Sequence, residues 1–202
     1  VTVKGARGLV TSCTTPVSEG MEVETENETL TSSRRSVLKL LLSVYHDKGY
    51  KLDDTDNELY KWAHYYGLEP TKIMATKGRY EVDTDPNPFI WIDLNKCILC
   101  TRCIRACSEV QGRFVWGISE RGFEAHIAAG MDEGMIDARC ESCGACVAYC
   151  PTGALSLKPS VMSLPAEKKV TTTCSYCGVG CQFDLNVVDN QIVRVTSNPN
   201  AP

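Results

Sequence analysis

The sequence predicts an α+β fold, and three patterns carry that prediction. Apolar residues recur with a helical period only from Leu38 to Tyr66. Elsewhere, short runs broken by Gly and Pro read as strands and turns. All but Cys13 of the 12 cysteines fall in phased runs between Cys97 and Cys181. A length of 202 residues sets a prior of one or two domains, and 43% hydrophobic against 23% charged residues supports a buried core. The net charge of −4 argues against nucleic acid or an anionic membrane as partner, either of which attracts a basic surface. No apolar run reaches the ~18 residues that span a bilayer. Val1–Val10 holds no targeting peptide, and the lack of an initiator Met leads us to expect an N-terminus further upstream.

Residues 1–30 read as short strands and turns, punctuated by Gly5, Gly8, Pro16 and Gly20. The first helix places Leu38, Leu41, Leu42 and Tyr45 at i, i+3, i+4 and i+7, with Ser32 and Ser33 as candidate N-caps. The second repeats the pattern with Leu59, Trp62, Ala63 and Tyr66. A Thr55-x-x-Glu58 capping box opens it and Gly67 closes it. Both stripes are read as core faces. A turn from Asp83 to Pro88 leads into a strand over Phe89–Ile92, directly before the first cysteine run. Lys158 to Lys169, with Pro159 and Pro165, reads as a linker. Phe183, Leu185 and Val187 then alternate with polar residues, and Asp189-Asn190 can turn the chain into Ile192–Val195 as a hairpin.

The cysteine runs carry the chemistry. Cys97, Cys100, Cys103 and Cys107 form C-x₂-C-x₂-C-x₃-C, and Cys140, Cys143, Cys146 and Cys150 repeat it. Cys174, Cys177 and Cys181 form a shorter C-x₂-C-x₃-C. The repeated run resembles the ligand pattern of bacterial-type ferredoxins, in which three close thiolates hold one cubane and the fourth reaches the neighbouring one. That resemblance implies crossed sets: Cys97, Cys100, Cys103 and Cys150 for one [4Fe–4S] cluster, and Cys107, Cys140, Cys143 and Cys146 for the other. Pro151 follows the last cysteine as the pattern asks, while Ser108 replaces the proline expected after Cys107. The long gap between Cys107 and Cys140 implies an inserted loop or hairpin. Structural zinc uses paired CxxC motifs and does not require the third cysteine. A disulfide framework needs an oxidising compartment, and at 12 cysteines in 202 residues the content is below the ~8–10% of such scaffolds. Among the histidines, His64 is read as a surface or packing residue, and His46 and His126 have no ligand spacing to a neighbour. No zinc-protease, P-loop or nucleophile-elbow sequence supports a hydrolase.

Cys174-Ser-Tyr-Cys177-Gly-Val-Gly-Cys181, followed by the hairpin and Asn198–Pro202, resembles the opening of molybdopterin oxidoreductases. That resemblance implies that Cys174, Cys177 and Cys181 hold a third [4Fe–4S] cluster whose fourth ligand lies downstream. Gly5 to Met21, around Cys13, is similar to the end of a plant-type ferredoxin, which would make Cys13 the fourth ligand of a [2Fe–2S] cluster; the competing reading is an ordinary core cysteine. The order of modules resembles the catalytic alpha subunit of soluble NAD-dependent formate dehydrogenases and, more distantly, the large iron–sulfur subunit of complex I. Residues 107–112, 119–126 and 140–154 look most like the formate dehydrogenase version. Many of those relatives carry a His-x₃-Cys-x₂-Cys-x₅-Cys site after the first helix. Here His46 has no following cysteines, so that cluster is expected to be absent.

The resemblance implies five segments. Residues 1–30 end a [2Fe–2S] ferredoxin-like domain, and 31–88 are a helical connector. Residues 89–157 form a two-[4Fe–4S] ferredoxin-like domain, 158–170 a linker, and 171–202 the start of the molybdopterin domain. The implied function is an electron relay between a molybdenum or tungsten bis-molybdopterin guanine dinucleotide site that oxidises formate and a partner subunit with FMN and NAD. The catalytic metal site is expected outside these residues, in the remainder of the same subunit. Competing readings are a complex I-type subunit, the N-terminal region of an iron-only hydrogenase, a free-standing ferredoxin-like carrier, and a zinc scaffold. Reduced thiolates and the lack of a visible signal favour the cytoplasm.

Overall fold

The computed structural model describes residues 1–48, 57–158 and 166–198. The chain divides into two compact units, one of residues 1–45 and 58–76, the other of 46–57 and 77–202. In the first unit, β1 (Thr2–Val3) pairs antiparallel with β2 (Val23–Glu24). Helix α1 (Glu28–Val44) follows. Its N-cap is Asn27, whose side chain accepts the Leu30 N–H at 2.8 Å, so Ser32 and Ser33 lie inside the helix rather than at its start. The helix begins earlier than the apolar period implies because one asparagine satisfies an orphan amide before the stripe becomes dense. Leu30, Leu42 and Tyr45 are buried, and Tyr45 meets Tyr60 edge-on at 5.7 Å.

Helix α2 (Glu58–Tyr65) buries Leu59 and Ala63. Gly67, at φ +67°, closes it with Gly67 N–H to His64 C=O and Leu68 N–H to Ala63 C=O, both 2.9 Å. Thr55, the proposed capping residue, lies outside the described residues. Trp62, assigned above to the core face, is 45% exposed. An eight-residue helix has room for only two buried positions, and the indole body instead borders a surface groove with Val37 and Tyr65.

In the second unit, β3 (Ile90–Ile92) pairs antiparallel with β6 (Leu155–Leu157). Between them come α3 (Arg102–Arg105), continued by a π turn over Ala106–Val110, and α4 (Ala145–Ala148). The insertion between the cysteine runs forms a hairpin of β4 (Trp116–Ser119) and β5 (His126–Ala129). The core joins Ile90, Val115, Trp116, Ile127, Met135 and Leu155 to Cys103, Cys107 and Cys146. Further along, β7 (Lys168–Thr173), β8 (Gln182–Val188) and β9 (Gln191–Ser197) make an antiparallel sheet. Asp189 and Asn190 take φ +48° and +59°, the pair of left-handed residues that a tight hairpin turn requires. Residues 168–170, read above as linker, belong to β7; β-branched Val170–Thr173 favour a strand, and pairing with β8 settles it. Pro159 and Pro165 lie outside the described residues. No described helix is long and apolar enough to cross a membrane.

Short segments like these hold their places through buried polar side chains. Asn95 accepts the Arg79 and Tyr80 N–H groups on one oxygen at 2.6 and 2.9 Å, and donates to Tyr80 C=O and Asp93. Gly78 must stay small, because a Cβ there would lie 2.9 Å from that same Asn95 oxygen. Asn87 accepts the Phe89 and Ile90 amides and donates to Ser142 Oγ, tying the start of β3 to the second cysteine run. Immediately before Cys97, Lys96 pairs with Asp47 at 2.9 Å, with the lysine side chain 1% exposed.

Candidate metal centres

Each four-cysteine run is shaped by the same backbone device. Leu99 and Thr101 take φ +53° and +60°, and Ser142 and Gly144, at the same offsets in the second run, take +53° and +78°. Left-handed residues interleaved with right-handed ones turn successive amides toward one point, a concavity that suits anions and iron–sulfur sites. Leu99 N–H donates to Cys97 Sγ and Ser142 N–H to Cys140 Sγ, both at 3.4 Å. Holding Leu99 and Thr101 there costs on the order of 1–3 kcal/mol each, a strain tolerated where surrounding structure imposes it. Helices α3 and α4, each of four residues, then carry Cys103 and Cys146 inward.

The tertiary fold sorts the eight thiols into two groups. Cys97, Cys100, Cys103 and Cys150 line one cavity together with Ile127, Pro151 and Leu155. Cys107, Cys140, Cys143 and Cys146 line a second, with Ile90, Val115 and Trp116. Cys107 lies one helical turn beyond Cys103 in the chain but lines the other cavity. The β3–β6 pairing produces the exchange, because it returns Cys150 to the first run. Thr152 anchors that return by donating to Lys96 C=O at 2.7 Å. Among the described residues, no three His, Cys, Asp or Glu side chains converge on a single ion position. Thiols spread around a cavity suit a multi-atom cluster better than one tetrahedral zinc.

Burial pushes the Cys97 thiol up to about 11 and those of Cys103 and Cys146 to about 12, with neighbouring cysteines adding to the rise. Backbone N–H groups are aimed at the sulfurs: Leu99 at Cys97 and Ser142 at Cys140 as above, Val115 at Cys107 (3.3 Å) and Leu155 at Cys150 (3.5 Å). Donors converging on buried sulfur have little value for a neutral thiol, which is a weak acceptor, and much for a thiolate. A cationic iron core would balance the buried negative charge. The donor set therefore fits the [4Fe–4S] groups that the spacing implies.

Cys174, Cys177 and Cys181 sit together in the loop joining β7 to β8. Cys174 N–H bonds to Cys181 C=O at 2.8 Å, and Gly178 and Gly180 take φ +75° and +87° to fold the loop back. Cys177 and Cys181 are exposed and Cys174 is half-buried. Cys13 is exposed, and its unit contains no other cysteine. His64 is exposed on α2, and His46 N–H bonds to Asn95 C=O at 3.0 Å.

His126, for which spacing indicated no role, is held at both ring nitrogens, by Glu124 C=O at 2.9 Å and Asp132 at 3.3 Å. The Glu124 carbonyl first, then Asp132, raises its pKa above the ordinary 6.5. The stabilisation this gives the β4–β5 hairpin is fully present below the unfolded pKa and is lost as pH rises through the folded one. A fall in unfolding midpoint across this range is expected, and Asp132→Asn should flatten it; an unchanged pH profile in that variant would exclude the linkage.

Trp116, Asn95, Asn87 and Thr152 were not singled out from the sequence. Asn95 reaches residues 79 and 80, Asn87 reaches Ser142, Thr152 reaches Lys96, and Trp116 lines the cavity of Cys140, Cys143 and Cys146, so local spacing has no signal for them.

Comparison with known proteins follows the same division. Residues 87–156 match the ferredoxin-like domain of NADH-quinone oxidoreductase subunit 3, and residues 167–202 match the molybdopterin oxidoreductase Fe4S4 domain. The NADPH-Fe(3+) oxidoreductase subunit alpha of Geobacter sulfurreducens is 33% identical over 98% of this chain and 23% of its own length. A Staphylococcus haemolyticus protein with a provisional formate dehydrogenase name is 25% identical over 95% of this chain and 24% of its own. The chain thus spans about a quarter of the length of these relatives. A crystal structure of an NAD+-reducing [NiFe]-hydrogenase in the H2-reduced state superposes with a TM-score of 0.62 at 27% identity, covering 77% of this chain and 67% of that one. The chain carries a ferredoxin-like domain of the NADH-quinone oxidoreductase subunit 3 type and a molybdopterin oxidoreductase Fe4S4 domain, an iron–sulfur-rich α+β region related to oxidoreductase subunits.

Proposed function

We propose that this chain is the electron-relay region of the alpha subunit of an NAD-dependent formate dehydrogenase. It would carry electrons between a molybdenum or tungsten bis-pterin site and a partner subunit with FMN and NAD. The observation that supports this best is the sorting of eight thiols into two crossed quartets within one core, followed along the chain by a molybdopterin-type Fe4S4 domain. In the proposal, Cys97, Cys100, Cys103 and Cys150 hold one [4Fe–4S] cluster, and Cys107, Cys140, Cys143 and Cys146 hold a second. Cys174, Cys177 and Cys181 contribute to a third, and Cys13 to a [2Fe–2S] cluster. Bound clusters supply one-electron storage. The chain's own part is to bury the sulfurs, aim amides at them, and keep Cys100 and Cys143 at the surface, where an electron can enter or leave. The pterin would be held by the remainder of the catalytic subunit.

A second reading keeps the relay and changes its terminal substrate, favoured by the higher identity to the Geobacter NADPH-Fe(3+) oxidoreductase subunit. The two are separated by mixing the purified subunit complex with formate and NAD+ in the absence of oxygen. Formate-dependent NADH formation, with reduction of the cluster absorbance, is expected. Clusters reduced by NAD(P)H but not by formate would support the second reading. A colourless, iron-free preparation carrying zinc would overturn both.

A further inference from the structure

Helix α1 carries more apolar surface than its own unit covers. Leu42 is fully buried, but Val37, Leu40 and Val44 are 52, 70 and 40% exposed. These three recur at i, i+3 and i+7, so they share one side of the helix. Val37 also borders a groove of about 930 Å³, lined across from it by Trp62 and Tyr65 of α2 and the adjoining Tyr66. The rings meet edge-on, Trp62 and Tyr65 at 5.6 Å and Tyr65 and Tyr66 at 5.0 Å, and so fix one another's orientation.

The charge on these helices is one-sided. Past their first residues, Glu28 and Glu58, α1 and α2 carry Arg34, Arg35, Lys39 and Lys61 and no carboxylate, in a chain of net charge −4. Arg34 and Lys61 line the groove itself, against one acid, Glu26. Arg34 is held by donating to Thr25 C=O at 2.7 Å and to the Tyr66 hydroxyl at 3.0 Å. Both acceptors are neutral, so they place the guanidinium without cancelling its charge.

We infer that this groove is a docking site for an acidic amphipathic helix of a partner protein. Apolar residues of that helix lie along Val37, Leu40 and Val44 and the Trp62 and Tyr65 rings, with its carboxylates beside Arg34 and Lys61. From Ser33 to Val44 α1 rises about 16 Å, which three turns of a partner helix match. A small planar ligand would cover the rings and leave Leu40 and Val44 in water. A second copy of this chain would set one basic face against another. The inference does not depend on which groups the thiols hold.

The test is fluorescence anisotropy of two labelled synthetic helical peptides titrated with the cluster-loaded full chain. Both present leucine at i, i+3, i+4 and i+7; one is flanked by glutamate and the other by lysine. The glutamate peptide should bind at least about tenfold more tightly, a preference that added salt weakens. The chain's net charge alone would favour the lysine peptide. Val37→Ser with Leu40→Ser should weaken the glutamate peptide by about tenfold through lost apolar contact. Lys61→Glu, at an exposed position, should erase the charge preference, and is read alone if the serine variant loses its circular dichroism. Equal binding of both peptides, or binding of neither, would overturn the inference. So would a dimer lost on Val37→Ser, which makes a second copy the occupant, or capture by anionic vesicles without any peptide preference.

Discussion

Replacing Cys150 by serine is expected to remove the four-iron group of the first cysteine run, 47 positions or more away in sequence terms from its partners Cys97, Cys100 and Cys103, and to spare that of the second. Iron and acid-labile sulfide per chain should each fall by about four. The physical reason is the exchange of thiols between runs: Cys150 faces the cavity of Cys97, Cys100 and Cys103, although its sequence neighbour Cys146 faces the other. Adding Cys97→Ser to Cys150→Ser separates the two possible assignments. In the crossed arrangement both substitutions strike one site, so the double variant loses no more iron than either single one. If each run held its own cluster, the double variant would lose about eight irons. Because ligand sets of this kind couple metal binding to folding, the variant core should also become easier to denature. The expected magnetic interaction between two reduced clusters would disappear with the first of them.

Lys96→Met carries the largest expected effect on stability that does not touch a ligand. The ammonium group lies 2.9 Å from Asp47, with side-chain exposures of 1% and 10%. Removing one member of a buried ion pair costs about 3–5 kcal/mol. A fall of that size in denaturant-derived stability is expected. In a double variant, Lys96→Met with Asp47→Leu, the loss should be smaller than the sum of the two single losses, the difference measuring the coupling of this pair. A loss below about 1 kcal/mol in the single variant would mean that the pair behaves as a solvated surface contact. Arg113–Glu141, at 2.6 Å with both side chains more than half exposed, provides that contrast within the same unit.

These two predictions draw on different kinds of information. Cys150 as a candidate ligand is legible from spacing, because the gap of three residues to the previous cysteine repeats that of Cys107. Lys96 has no such signal. It looks like any lysine beside an asparagine, and its burial depends on residues that reach it from elsewhere in the fold. Trp62 shows the converse error, where a helical period that placed it inside is overruled by the shortness of α2. The strand over residues 168–173 was missed for a related reason: it lacks alternation, and its partner β8 defines it.

By itself, the sequence determined the phased cysteine runs that the matching Fe4S4 domains share, because thiol spacing is a local property, as local as a turn. It also determined the buried Leu42 and Tyr45 of the first stripe, Leu59 and Ala63 of the second, and the Asp189-Asn190 turn, each set by neighbours within a few residues. Only the tertiary structure decided how the buried sulfurs are surrounded. It aims the Val115 and Leu155 amides at them, seats Lys96 against Asp47, and gathers the eight thiols as two quartets within one core. Those arrangements join residues tens of positions apart, and the backbone pairing of β3 with β6 and of β4 with β5 brings them together.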